Sequence, residues 1–223
     1  MKNSRVFDLL GPIMVGPSSS HTAGAVRLGL MAGKILATEI RKARILLHGS
    51  FAQTGKGHGT HLALIAGLLG MYPDDERIKI ASQLAESYGV IINFENIDLG
   101  QVHPNSVKFE LTGANGQKST IIGSSLGGGK VIITEVDGFR VKFTGEYSTL
   151  IAVYPDYPGM IAEITTQVAS AGVNIAQMKV SREGRGRKAL TVIEADEVIK
   201  DIVVQHIKGL PKIEKVMYLE QMN

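Results

Sequence analysis

The chain has 223 residues, 44% of them apolar and 20% charged, with a formal net charge of +3 and no cysteine. That length allows one large domain or two ordinary ones, each with its own core. The missing cysteines exclude disulfides, thiolate-bound zinc and self-supplied iron–sulfur ligation, and no run approaches the roughly 20 apolar residues that span a bilayer. Met1-Lys2-Asn3-Ser4-Arg5 is followed by no hydrophobic export segment, so a cytoplasmic location is expected. The densest basic run, Arg182-Glu183-Gly184-Arg185-Gly186-Arg187-Lys188, lacks interleaved aromatics and reads as a solvated hairpin tip rather than a nucleic-acid surface.

In chain order, Ser18 to Ser20 supply capping hydroxyls ahead of a helix carried by Ala23, Val26, Leu30, Ile35 and Leu36, ending near Ile40. Residues 44–50 read as a short buried strand and residues 51–59 as a loop. An apolar helix is expected over 60–70, and a third opens at Pro73-Asp74-Asp75-Glu76, where proline and carboxylates suit a first turn. That helix ends at Gly89, before a strand over 90–94. From His103 onward the period becomes strand-like: Val107, Phe109 and Leu111 alternate with polar residues, and Asn115-Gly116 and Asp137-Gly138 mark hairpin turns. The predicted class is α+β, with an N-terminal helix-plus-antiparallel-sheet domain over 1–145. Over 148–223 the pattern is strand, helix, two strands around the basic hairpin, helix, strand: the ferredoxin-like βαββαβ unit.

Two histidines stand apart. His21 lies in Gly16-Pro17-Ser18-Ser19-Ser20-His21-Thr22-Ala23-Gly24, and His58 in Thr54-Gly55-Lys56-Gly57-His58-Gly59-Thr60. Each is ringed by small hydrogen-bonding residues and leads into a helix, a setting for a titratable group facing a small ligand. The positive end of a helix keeps such an imidazole neutral, hence able to accept a proton. The same helix starts, with the hydroxyls of Ser18, Ser19, Ser20 and Thr22, suit a carboxylate, and Lys56 either adds positive charge or sits in solvent. Thr54-Gly55-Lys56-Gly57 lacks the spacing of a phosphate loop. His58-x-x-His61 has a spacing found in metal sites, but no third ligand is evident, so no metal is assigned to this chain. His103-Pro104-Asn105 reads equally as a capped turn or a site loop, and Gly127-Gly128-Gly129 as an anion nest or a bulged strand start. His48 and His206 read as structural.

Four motifs together carry a resemblance: Gly16 to Thr22, Gly55 to Thr60, His103-Pro104-Asn105 and Ser125-Leu126-Gly127-Gly128-Gly129. In that order the chain resembles the β subunit of bacterial iron–sulfur-dependent L-serine dehydratase. The resemblance implies an L-serine ammonia-lyase that forms pyruvate and ammonia by β-elimination of water, with a 4Fe–4S cluster held by the cysteines of a separate α subunit. It implies His21 and His58 as catalytic groups, and Ser18, Ser19, Ser20, Thr22, Lys56 and Asn105 as substrate-binding. His61 stands where the resemblance implies an aspartate. The C-terminal unit resembles the ACT domain, a small-molecule sensor that often dimerises, on Asp156-Tyr157-Pro158-Gly159-Met160-Ile161 and Gly172-Val173-Asn174-Ile175. This implies Asp156, Gly159, Met160 and Asn174 at a regulatory ligand. Two rival functions stand beside this one. The N-terminal region also resembles the allosteric substrate-binding domain of some phosphoglycerate dehydrogenases, which implies a non-catalytic amino-acid sensor, and His58 with His61 would suit a metallohydrolase.

Overall fold

The computed structural model describes residues 14–16, 18–55 and 57–222. The chain is α+β, as expected, and divides into two compact units, Met1–Asp137 and Gly138–Asn223.

In the first unit a π-helical turn, Ser19–Ala23, runs into α1 (Gly24–Leu36). It is followed by β1 (Ile40–Leu47), α2 (Gly49–Thr54), α3 (Thr60–Leu68), a 3-10 turn at Glu76–Ile80 leading into α4 (Ala81–Ser87), and β2 (Ile91–Asn96). Then come β3 (Ser106–Gly113), β4 (Lys118–Gly127) and β5 (Lys130–Val136). These strands lie in the order β2-β1-β3-β4-β5. β1 pairs parallel with β2 and antiparallel with β3, and the β3–β4 and β4–β5 pairs are antiparallel. The register sets Ile45 of β1 between Phe94 and Phe109.

Helix α1 packs against α3 and against β3, β4 and β5. Glycine sets the depth of the helix crossing: a Cβ on Gly67 would lie 2.0 Å from the Val26 carbonyl, and one on Gly29 would lie 2.4 Å from that of Leu64. Only hydrogen fits between these backbones. The crossing buries Leu28, Met31, Ile35 and Leu64 completely, each worth about 1.5–3 kcal/mol over exposure.

Four elements differ from the sequence reading. Helix α1 ends at Leu36 rather than near Ile40, and β1 runs Ile40–Leu47 rather than over 44–50. The expected loop over 51–59 begins as the short helix α2, because Gly49 (φ +56) turns the chain sharply after β1 and the Ser50 amide donates to the Pro104 carbonyl at 2.8 Å. The third helix starts later and in two parts: Asp75, not Pro73, caps it, its carboxylate accepting the Arg77 amide at 2.9 Å. Strand β4 itself runs through Ser124 and Ser125 to Gly127, since these serines pair with β3 and β5.

The second unit opens with β6 (Phe139–Phe143) and continues β7 (Ser148–Pro155), α5 (Met160–Ser170), β8 (Ile175–Arg182), β9 (Lys188–Ala195), α6 (Asp201–Lys208) and β10 (Lys215–Leu219). From β7 onward this is βαββαβ, with an antiparallel sheet in the order β10-β7-β9-β8. One sheet face packs Leu150, Ala152 and Ile193 against Ile164, Val168, Val204 and Ile207 of the helices. β6 lies beside β8, where the Ser181 hydroxyl donates to the Arg140 carbonyl at 2.6 Å. The basic run forms the exposed β8–β9 tip, with Arg182 paired to Asp156 and Lys188 to Glu214.

Candidate active site

The two histidine loops meet. The π-helical turn sets His21 beside His58, with ring centroids 5.1 Å apart. Thr22, buried at the base of the turn, donates its hydroxyl proton to the His58 carbonyl at 3.5 Å. Ser18 caps the turn: its Oγ accepts the His21 amide at 3.2 Å and its carbonyl accepts the Thr22 amide at 2.8 Å. A further clamp comes from the end of β4. The Ser125 hydroxyl donates to the Ser20 carbonyl at 2.9 Å, and its own amide donates to the Asn105 carbonyl at 2.9 Å. Gly24 leaves the room, since a Cβ there would sit 2.0 Å from Ser125 Oγ.

Helix α2 forms the facing wall. Phe51, fully buried, meets the His21 ring edge-on at 5.3 Å between centroids. Ser50 Oγ and Thr54 Oγ1 lie 3.2 and 3.0 Å from His21 Nε2, while Ser20 Oγ lies 3.2 Å from Nδ1. Both nitrogens of the half-buried His21 therefore have hydroxyl partners, whereas His58 is exposed. The proton affinity of His21 is lowered from the ordinary 6.5, first by burial and then by the neighbouring His58, with a Ser50 backbone group pulling the other way. Burial and a like-charged neighbour, rather than the expected helix dipole, favour the neutral form.

Several expected substrate contacts are already engaged within the protein. Thr22 and Ser18 spend their hydroxyls on the scaffold, and Asn105 contributes through its backbone, its amide donating to His103 Nδ1 at 3.2 Å. Ser19 belongs to the turn through its carbonyl, which accepts the Gly24 amide. Ser20 stays at the site, against the His21 ring. Lys56 and Pro17 lie outside the described residues. Gly127, Gly128 and Gly129, all at positive φ, form the tight β4–β5 turn, which Arg27 pins by donating to the Gly129 carbonyl at 3.2 Å. The rings of His58 and His61 engage different neighbours: His61 packs on Phe94 with centroids 4.3 Å apart, and His58 on His21. The sequence reading missed Ser50 and Thr54. Their four-residue spacing puts both on one helix face, a signal hidden by the reading of residues 51–59 as a loop.

A model of the serine dehydratase beta chain matches residues 5–136. The chain belongs to the serine dehydratase beta chain family. It is 42% identical to the probable L-serine dehydratase beta chain of Bacillus subtilis, over 97% of this chain and 98% of that one. It is 38% identical to the L-serine dehydratase beta chain of Peptoniphilus asaccharolyticus, over 99% of this chain and all of the relative. A D-3-phosphoglycerate dehydrogenase of Methanocaldococcus jannaschii is 25% identical, over 86% of this chain but 36% of that enzyme. The serine dehydratase beta chain model spans His21, His58, Ser50, Thr54 and Ser125, so the whole histidine site falls within it. The second unit lies beyond that model, yet the two full-length relatives extend across it.

In the second unit, Gly159 precedes α5 with φ +95, Met160 is packed in the core, and Asp156 pairs with Arg182 at 3.3 Å. Asn174 binds Asp196 and Glu197, each at 2.7 Å. Among the described residues no hydrogen bond joins Asn174 to Asp156 or Gly159.

Proposed function

We propose that this beta chain forms, with a cysteine-bearing α subunit, a cytoplasmic L-serine ammonia-lyase that converts L-serine to pyruvate and ammonia. The observation that carries the reading is the paired imidazoles 5.1 Å apart within a wall of hydroxyls, in a chain of the serine dehydratase beta chain family. The donors at this site are imidazole and hydroxyl, with no thiolate anywhere in the chain, so the cysteine ligands of a 4Fe–4S cluster are not supplied by it. In this reading the partner holds the cluster, which supplies Lewis acidity for the substrate hydroxyl.

The chain's own residues do the rest. His21, favoured in its neutral form, accepts the Cα proton; the electron pair of that bond forms the Cα–Cβ double bond as hydroxide leaves Cβ, and the enamine hydrolyses to pyruvate and ammonia. His58, exposed beside it, is the group that exchanges protons with solvent. Ser20 faces the reacting ring, and Lys56 supplies positive charge toward the substrate carboxylate. A positioned acid–base group contributes roughly 10²–10⁴-fold. The second unit is read as an ACT domain that binds a regulatory small molecule near Asp156, Gly159, Met160 and Asn174 and pairs with a second copy. Anaerobic co-expression with a cysteine-bearing partner, followed by a pyruvate assay on the wild type, His21→Ala and His58→Ala, tests the reading. Full activity in both variants overturns the catalytic assignment.

The likeness to the D-3-phosphoglycerate dehydrogenase favours one alternative, a non-catalytic serine sensor. It predicts calorimetric serine binding by the isolated chain, unchanged in His58→Ala, and no pyruvate with any partner.

A further inference from the structure

We infer that Thr54 is a positioning residue that holds His21 as its Nε2–H tautomer, leaving Nδ1 as the ring atom that accepts the substrate proton. The inference rests on the reading of His21 as the base and specifies which of its atoms does the work. It follows from counting protons. Thr54 Oγ1 lies 2.9 Å from the Ser50 carbonyl oxygen and 3.0 Å from His21 Nε2. A carbonyl only accepts, so the single hydroxyl proton of Thr54 goes to Ser50. Toward the imidazole, Thr54 then offers a lone pair and Nε2 must bring the proton. The remaining hydroxyl on that side, Ser50 Oγ, lies 3.4 Å from Thr54 Oγ1 and 3.2 Å from His21 Nε2, so it can donate to the second lone pair of Thr54 while Nε2 keeps its proton. In the opposite tautomer the Ser50 hydroxyl can turn to Nε2, but the Nε2 lone pair would still face that of Thr54 at 3.0 Å, or the helix would lose its Thr54-to-Ser50 bond.

The other ring edge is built from donors. Ser18 Oγ accepts the His21 amide, so its own proton is free for Ser20, 3.4 Å away; with Nε2 protonated, the Ser20 hydroxyl is then the donor to Nδ1 at 3.2 Å. Every proton in the chain from Ser18 to Ser50 then has one acceptor. When substrate enters, its Cα–H takes the place of the Ser20 hydroxyl at Nδ1. The Cα–H bond breaks and the Nδ1–H bond forms. The imidazolium keeps its Nε2–H on Thr54, so the positive charge develops against an oxygen already oriented to receive it.

The test reads the ring directly and needs no partner. In the purified chain carrying ¹⁵N-histidine, long-range proton–nitrogen correlations above the titration of His21 should show a protonated Nε2 and an unprotonated Nδ1. Thr54→Val should populate both tautomers, and Thr54→Ser should restore the single one. In the reconstituted enzyme, Thr54→Val should lower kcat by about tenfold, the weight of one hydrogen bond to a charged group, with little change in KM. An Nδ1–H tautomer in the wild type, or ring signals unchanged by Thr54→Val, overturns the inference. If the tautomer is as stated but His21→Ala keeps full activity, the base assignment falls and takes the catalytic role of Nδ1 with it.

Discussion

The His21 and His58 loops share a sequence style and differ in almost everything else. Both are glycine- and hydroxyl-rich and both open onto helices, yet His21 is half-buried, touched by Phe51, and met by hydroxyls at both ring nitrogens. His58 is exposed and is held through its backbone, its amide donating to the Thr54 carbonyl at 3.3 Å and its carbonyl accepting from Thr22. Under the proposed function the contrast divides one task between two similar motifs. A base needs a fixed orientation and a neutral resting state, which burial and hydrogen bonds provide. A group that trades protons with solvent needs access, and an exposed loop provides that.

Four experiments break or sharpen this contrast. The largest effect is expected from His21→Ala, which should reduce pyruvate formation by the reconstituted complex by about 10²–10⁴-fold, with a smaller loss in His58→Ala. An equal or larger loss in His58→Ala would reverse the division of roles. Next is the clamp behind His21. Gly24→Ala drives a methyl into Ser125, and overpacking of this kind costs about 1–3 kcal/mol. Denaturant unfolding should register that loss, while Gly59→Ala, whose Cβ meets nothing within 4 Å, should show only the smaller strain of its positive φ. Ser125→Ala comes third. It removes the hydrogen bond to the Ser20 carbonyl, and its stability loss should fall near 0.5–1.5 kcal/mol.

The smallest effect is on pH dependence. The proton affinity of His21 lies below the ordinary value, so the neutral base persists below pH 6.5 and the acid limb of kcat/KM should fall beneath that value. The sign for stability follows from the same shift. The folded chain takes up this proton at lower pH than the unfolded chain, so the His21 contribution is complete above 6.5 and is lost as pH falls through the lowered value. His58→Ala removes one of the two causes and leaves burial, the larger, in place. Its acid limb should therefore move only part of the way back to 6.5. A limb at or above 6.5 in the wild type would contradict the buried environment.

The regular parts of the fold were legible because their signals are local. Alternation of Val107, Phe109 and Leu111 marks β3, and the order of elements after residue 148 describes a ferredoxin-like sheet before any contact is known. α2 was not legible: at six residues it is too short for helical periodicity to show, and it is nucleated by the Gly49 turn and the Ser50–Pro104 hydrogen bond rather than by its own sequence. Ser50 and Thr54 stayed hidden with it. The roles of Thr22 and Asn105 shifted for a related reason. Hydroxyl and amide groups in a motif look alike whether they face a ligand or their own backbone, and the partner of each lies far along the chain.

The sequence by itself determined the α+β class, the two histidine loops as the place of interest, and, through the missing cysteines, that no thiolate of this chain serves the chemistry. Those conclusions depend on residue type and short spacing, which need no neighbours. Only the tertiary structure decided that the loops form one site, that His21 is the oriented ring and His58 the open one, and that Thr54 stands at Nε2. The glycines of α1 and α3 let the two helices approach until their backbones touch, and β4 reaches back to grip Ser20. The distances that govern proton transfer are set by those packings between residues 29 to 105 positions apart in the chain, and local sequence carries no record of them.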